Sequence, residues 1–111
     1  MKPYLSAGAV AGLLAACTTG ITGYEVVNEE TAVDSTPQKQ LIVECPTGKV
    51  ATGGGWAVLD PTSAILSGRA TTNQPAFDGK HWLVNAINES DFSPTWKLKV
   101  WAICVTPEAA G

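Results

Sequence analysis

The chain has 111 residues, enough for one domain, and at 45% hydrophobic and 15% charged it has the means to build a core rather than stay disordered. Seven Lys and Arg against ten Asp and Glu give a net charge of -3 with no basic cluster, which argues against a nucleic-acid partner and its need for a concentrated positive footprint. One His, His81, and no Cys-x-x-Cys or His pair argue against an all-protein metal site, and no cofactor is expected.

Met1 and Lys2 open the chain, and a short apolar run of small residues follows from Leu5 to Ala16. A positive start before about a dozen apolar residues is the anatomy of a bacterial export signal. The run is shorter than the roughly 20 residues that span a bilayer. Leu14-Ala15-Ala16-Cys17 resembles the lipobox of bacterial lipoproteins. That resemblance implies diacylglycerol on the Cys17 thiol, cleavage just before Cys17 and acylation of the new amino group. The small side chains of Ala15 and Ala16 leave the backbone open to a peptidase, and only Cys supplies the thiol. Thr18 stands where Asp marks inner-membrane retention in many Gram-negative bacteria, so the resemblance further implies the outer membrane or cell surface. On this reading residues 1–16 are a signal peptide and residues 17–23 a lipidated tether, whose last six positions reach roughly 20 Å at most.

Residues 24–107 read as strands separated by turns, with residues 108–111 as a tail. Tyr24 to Glu30 precedes a polar break at Asp34-Ser35-Thr36-Pro37. Gln40 to Cys45 places Leu41, Val43 and Cys45 on one face by alternation. After the Pro46-Thr47-Gly48 turn, Lys49 to Leu59 is extended but interrupted by Gly53-Gly54-Gly55, where a bulge or bend is expected. Ala64 to Thr72 follows and ends at Asn73-Gln74-Pro75, and Asp78-Gly79 signals another turn. His81 to Asn88 alternates with Trp82, Val84 and Ala86 on one side. From Trp96 to Val105, one face carries Trp96, Leu98, Val100, Ala102 and Cys104. The other begins with Lys97 and Lys99 and becomes apolar at Trp101, Ile103 and Val105, which predicts a central position for this strand. Short strands punctuated by Gly and Pro predict an all-β fold: one small antiparallel sandwich or partly open barrel.

Three cysteines is an odd number. Lipid on Cys17 leaves Cys45 and Cys104 as a pair, each in an apolar strand-like run, and export would let them oxidise. Their strands are then neighbours or face each other across the core. Closing a loop of 59 residues would stabilise the fold by roughly 4 kcal/mol.

Cys45-Pro46-Thr47-Gly48-Lys49, Gly53-Gly54-Gly55, Trp82-Leu83-Val84 and Ala102-Ile103-Cys104 recur here in an order that resembles a loosely defined group of small β domains. These occur in exported bacterial proteins and some phage tail proteins. The likeness runs from about Gly23 to Val105, and its motifs are structural. It implies a sandwich, a disulfide and a surface module of a cell or virion, and it names no ligand.

Catalytic patterns are weak. His81 with Asp78 lacks any Gly-x-Ser-x-Gly elbow, and Thr47-Gly48-Lys49 lacks the first Gly and the Ser or Thr of a phosphate loop. The expectation is therefore a non-enzymatic binding or structural module, held at the membrane by its lipid. Its partner would be an unidentified protein or carbohydrate, and homo-oligomers are allowed. The alternative is a subunit of a virion fibre or extracellular filament that uses residues 5–16 as an apolar contact; a hydrolase with an unrecognised site is the weaker alternative. Candidate surface residues are Trp56, after three glycines, and Trp101, opposite the Ala102 face, since exposed Trp stacks on sugars or anchors partners. Arg69, in the polar run Ser67 to Asn73, is the third; Trp82 and Trp96 are assigned to the core.

Overall fold

The computed structural model describes residues 21–107, and the expected signal peptide, the lipid site Cys17 and the tail lie outside this range. Six strands and no helix make up the described chain: β1 (Thr22–Glu30), β2 (Gln38–Glu44), β3 (Val50–Leu59), β4 (Gly68–Pro75), β5 (His81–Asn88) and β6 (Lys97–Thr106). They form two three-stranded antiparallel sheets, ordered β1-β6-β3 and β2-β5-β4. The all-β expectation and the central place of the last strand both hold.

The alternation read from the sequence fixes the core. Trp96, Leu98, Val100, Ala102 and Cys104 are all buried along one face of β6 and its entry. Val43 and Cys45 meet them from the β2 side, Val84 and Ala86 from β5, and Val58 from β3. Period-two spacing carries this arrangement, because a slip by one residue would turn every one of these side chains to water. Cys45 and Cys104 form a disulfide. Cys104 lies on the central strand of one sheet and Cys45 at the end of an edge strand of the other, so the bridge crosses the core.

β1 begins at Thr22, inside the expected tether of residues 17–23, and β2 at Gln38, but the boundaries of β4 differ most from the sequence reading. Ala64 to Thr72 was expected as a strand broken at Asn73, whereas β4 starts at Gly68 and runs through Asn73 and Gln74 to Pro75. Residues 60–64 instead form a turn around the Asp60 carboxylate, which accepts from the Thr62 N–H (2.8 Å), the Ala64 N–H (2.9 Å) and the Thr62 hydroxyl (2.7 Å). Asn73 and Gln74 pair with Val84 and Leu83, and Pro75 is tolerated because β4 is an edge strand, with no partner on one side among the described residues. In β3 the register shift falls between Ala51 and Gly53, just ahead of the glycines, which themselves pair regularly with Ile103, Ala102 and Trp101.

Antiparallel pairing sorts the connections into two ends. Thr22 pairs with Thr106, Val50 with Val105 and Glu44 with His81, so the chain's entry, the 45–49 turn and the 76–80 turn share one end. Glu30 pairs with Lys99, Leu59 with Lys97 and Gly68 with Asn88, so the 31–37, 60–67 and 89–96 loops share the other.

The far end is closed around Trp96. Its backbone bridges Asp34, and its indole N–H donates to the Thr36 carbonyl at 2.7 Å. Lys39, on the inward face of β2, is buried with its ammonium 4.9 Å from the centre of the Trp96 ring. That ammonium donates to the Ala32 carbonyl (2.7 Å) and the Trp96 carbonyl (2.5 Å), and it pairs with Asp34 at 2.9 Å. A buried ammonium is tolerated only with its hydrogen bonds filled, and here three acceptors surround it.

Candidate binding surface

Directly opposed residues in an antiparallel pair point to the same side of the sheet, so register places each candidate. Trp56 opposes the fully buried Val100, and it packs against the core as a half-buried side chain. Trp101 opposes Gly55 on β3 and Asn28 on β1, which puts it on the outer face of the first sheet. Arg69 opposes Ile87 on the outer face of the second sheet, where it is exposed and pairs with Glu89 at 3.0 Å. The structure does not bring the three together: one faces inward and the other two lie on opposite faces of the sandwich. Trp96 and Trp82 take the core positions expected of them, Trp96 fully buried and Trp82 packed at its margin. The Trp82 indole N–H is satisfied by the Asn73 side-chain oxygen at 2.9 Å.

The glycine run explains how the indoles are seated. A Cβ on Gly54 would lie 2.4 Å from the Trp82 ring, and one on Gly55 would lie 2.4 Å from the Trp101 ring. Bare backbone at two successive positions therefore admits one indole on each face of β3. Trp101 lies across the Gly55 backbone and remains only half-buried, because among the described residues no further layer covers that sheet.

The polar cluster nearest to a chemical site surrounds His81. Its Nδ1 is 2.8 Å from Asp78 and its Nε2 is 3.7 Å from Glu44. The hydrogen bond with His81, followed by the Lys80 backbone N–H, holds the Asp78 carboxyl below its ordinary range. Ile42, Ala76 and Phe77 join Asp78 and His81 around a shallow depression of about 180 Å³. Asp78 holds His81 at the β4–β5 turn with Glu44 of β2 nearby, and among the described residues no serine, threonine or cysteine is hydrogen-bonded to the imidazole. Among the described residues no group of three or more His, Cys, Asp and Glu is placed to hold a metal ion.

The most exposed apolar side chains collect instead at the two ends, while Val26 and Ile42 are exposed on strand faces. At the far end each of the three loops raises one: Val33, Ile65 at 82% exposure and Phe92 at 94%. At the near end Ile21, Tyr24 and the fully exposed Phe77 stand out. Sequence reasoning passed over these residues because loop side chains have no periodicity to read. The available signal was a lone aromatic between turn formers, as in Asp91-Phe92-Ser93 and Ala76-Phe77-Asp78. Comparison with protein-family models, curated proteins and solved structures returns no match for this chain.

Proposed function

We propose that this chain is a membrane-anchored, extracytoplasmic β module that acts by presenting a rigid surface to a partner and performs no covalent chemistry. The observation that carries the reading is the polarity of the sandwich. The chain enters at one end, five positions after Cys17, and three loops with exposed apolar side chains cluster at the opposite end. Acyl chains on Cys17 would hold the near end at the membrane and direct Val33, Ile65 and Phe92 outward. Support also comes from the lipobox-like Leu14-Ala15-Ala16-Cys17 and from a disulfide, which persists in oxidising compartments. Exposed aromatic and aliphatic residues at one end suit a protein partner, whose contact would bury them.

The deciding experiment is fatty-acid labelling with intact-mass measurement. The expected product carries acyl mass and begins at Cys17, and Cys17→Ser loses the label. A species that keeps both Met1 and a free Cys17 thiol overturns the anchored reading and favours the assembly subunit, with residues 5–16 as its contact.

A further inference from the structure

We infer that the near end of the sandwich does not merely hang above the membrane but inserts Phe77, with Tyr24 and Ile21 at the same end, into the bilayer interface. The inference rests on the lipid anchor proposed above and adds a second, side-chain contact to it. Its first support is reach. Five positions separate Cys17 from Thr22 at the start of β1, and at about 3.5 Å each they allow at most roughly 17 Å. A sandwich so tethered must keep its near end against the lipid headgroups.

The second support is what that end displays. Phe77 sits on the turn between β4 and β5 at 104% exposure, so none of the described residues shields it. Tyr24, on the entering strand, and Ile21, just before it, are exposed at the same end. Aromatic side chains with an apolar body are favoured at the headgroup level. The charged groups nearby do not supply an alternative attraction. Lys49 pairs with Glu25, and His81 sits between Asp78 and Glu44, with Lys80 alongside. Three carboxylates against two lysines and one imidazole form no basic patch, so the contact is apolar and independent of anionic lipid.

The protein carries its own control, since its two phenylalanines stand at opposite ends: Phe77 at the near end and Phe92 at the far end. The lipidated full chain, labelled with 4-fluorophenylalanine, would give two fluorine resonances, assigned with Phe92→Leu. It would be reconstituted in phosphatidylcholine nanodiscs containing nitroxide-labelled phosphatidylcholine. The expected result is that the Phe77 resonance broadens at least severalfold while Phe92 stays sharp, with no change when anionic phosphatidylglycerol is added. Phe77→Ser should leave the fatty-acid label intact and remove the broadened resonance, with that of Phe92 still sharp. If the protein carries acyl chains and sits on the discs but both resonances stay sharp, the insertion is overturned and the anchor stands. If Phe92 broadens in place of Phe77, the orientation is overturned. If Cys17 carries no lipid, both this inference and the anchored reading fall.

Discussion

At the scale of single residues, the glycines of β3 and the carboxylates of the far end make distinct demands. Gly54→Ala would drive a methyl into the Trp82 ring, which is held by its bond to Asn73, so overpacking should destabilise the fold by about 1–3 kcal/mol. Gly53→Ala meets only the Ile103 side chain at 3.6 Å and should be nearly neutral. Urea denaturation of the two variants checks the contrast, and equal midpoints would contradict the seating of Trp82. Asp34 has its carboxyl lowered to about 2, first by the Lys39 ammonium and then by the Thr36 backbone N–H. A depressed carboxyl stabilises the folded state above its unfolded value of 3.8, and that contribution drains away as pH falls from there towards 2. Glu30, held low by Lys97, and Asp60, held low by the Thr62 hydroxyl, act in the same direction at the same end. Acid should therefore lower the melting temperature over this window. Asp34→Asn should flatten that dependence, and an unchanged acid limb in this variant would rule out the Asp34–Lys39 pair as its source.

At the scale of elements, legibility followed burial. β6 could be read almost residue by residue, because its inward face is continuously apolar and its position is central. β5 and β2 were legible for the same reason on one face each. The edge strand β4 was misplaced because its residues are mostly polar and exposed, which leaves no alternation strong enough to set its start. Asn73, Gln74 and Pro75 look like a break in sequence, yet backbone pairing with β5 holds them extended. Lys39 breaks the apolar pattern of β2, and its role became clear only when Ala32, Asp34 and Trp96 converged on it from distant positions. The candidate surface was the least legible part: the alternation of β6 already sets Trp101 opposite the Ala102 face, but the glycines of β3 leave no such signal for Trp56, and only its pairing with Val100 shows that it points inward. The buried Trp96 tests this level, since it joins β6, β2 and the β1–β2 loop. Trp96→Ala should cost about 3–5 kcal/mol, whereas Trp101→Ala on the uncovered face should cost clearly less. Similar losses for both would mean that the outer face of the first sheet is covered.

At the scale of the whole molecule, the sandwich is closed differently at its two ends. The near end has a covalent clasp from Cys45 to Cys104, and the far end an ionic and aromatic one of Asp34, Lys39 and Trp96. The bridge closes a loop of 59 residues, and losing it should remove roughly 4 kcal/mol by freeing the unfolded chain. For a domain of this size that corresponds to a melting temperature lower by roughly 15–30 °C. Two freely alkylated thiols in the oxidised, folded protein would refute the bridge. Because the clasps share no residue and hold opposite ends, their losses should add when neither alone unfolds the chain. Hydrogen exchange separates them. Acid below pH 3.8 should first deprotect the far-end amides of Thr31 and Trp96, which bond to Leu98 and Asp34, while the near-end amides of Cys45 and Ala51, bonded to Lys80 and Gly79, stay protected. Reduction at neutral pH should reverse that order. A single uniform loss of protection under both treatments would instead make the sandwich one cooperative unit, in which neither end opens before the whole.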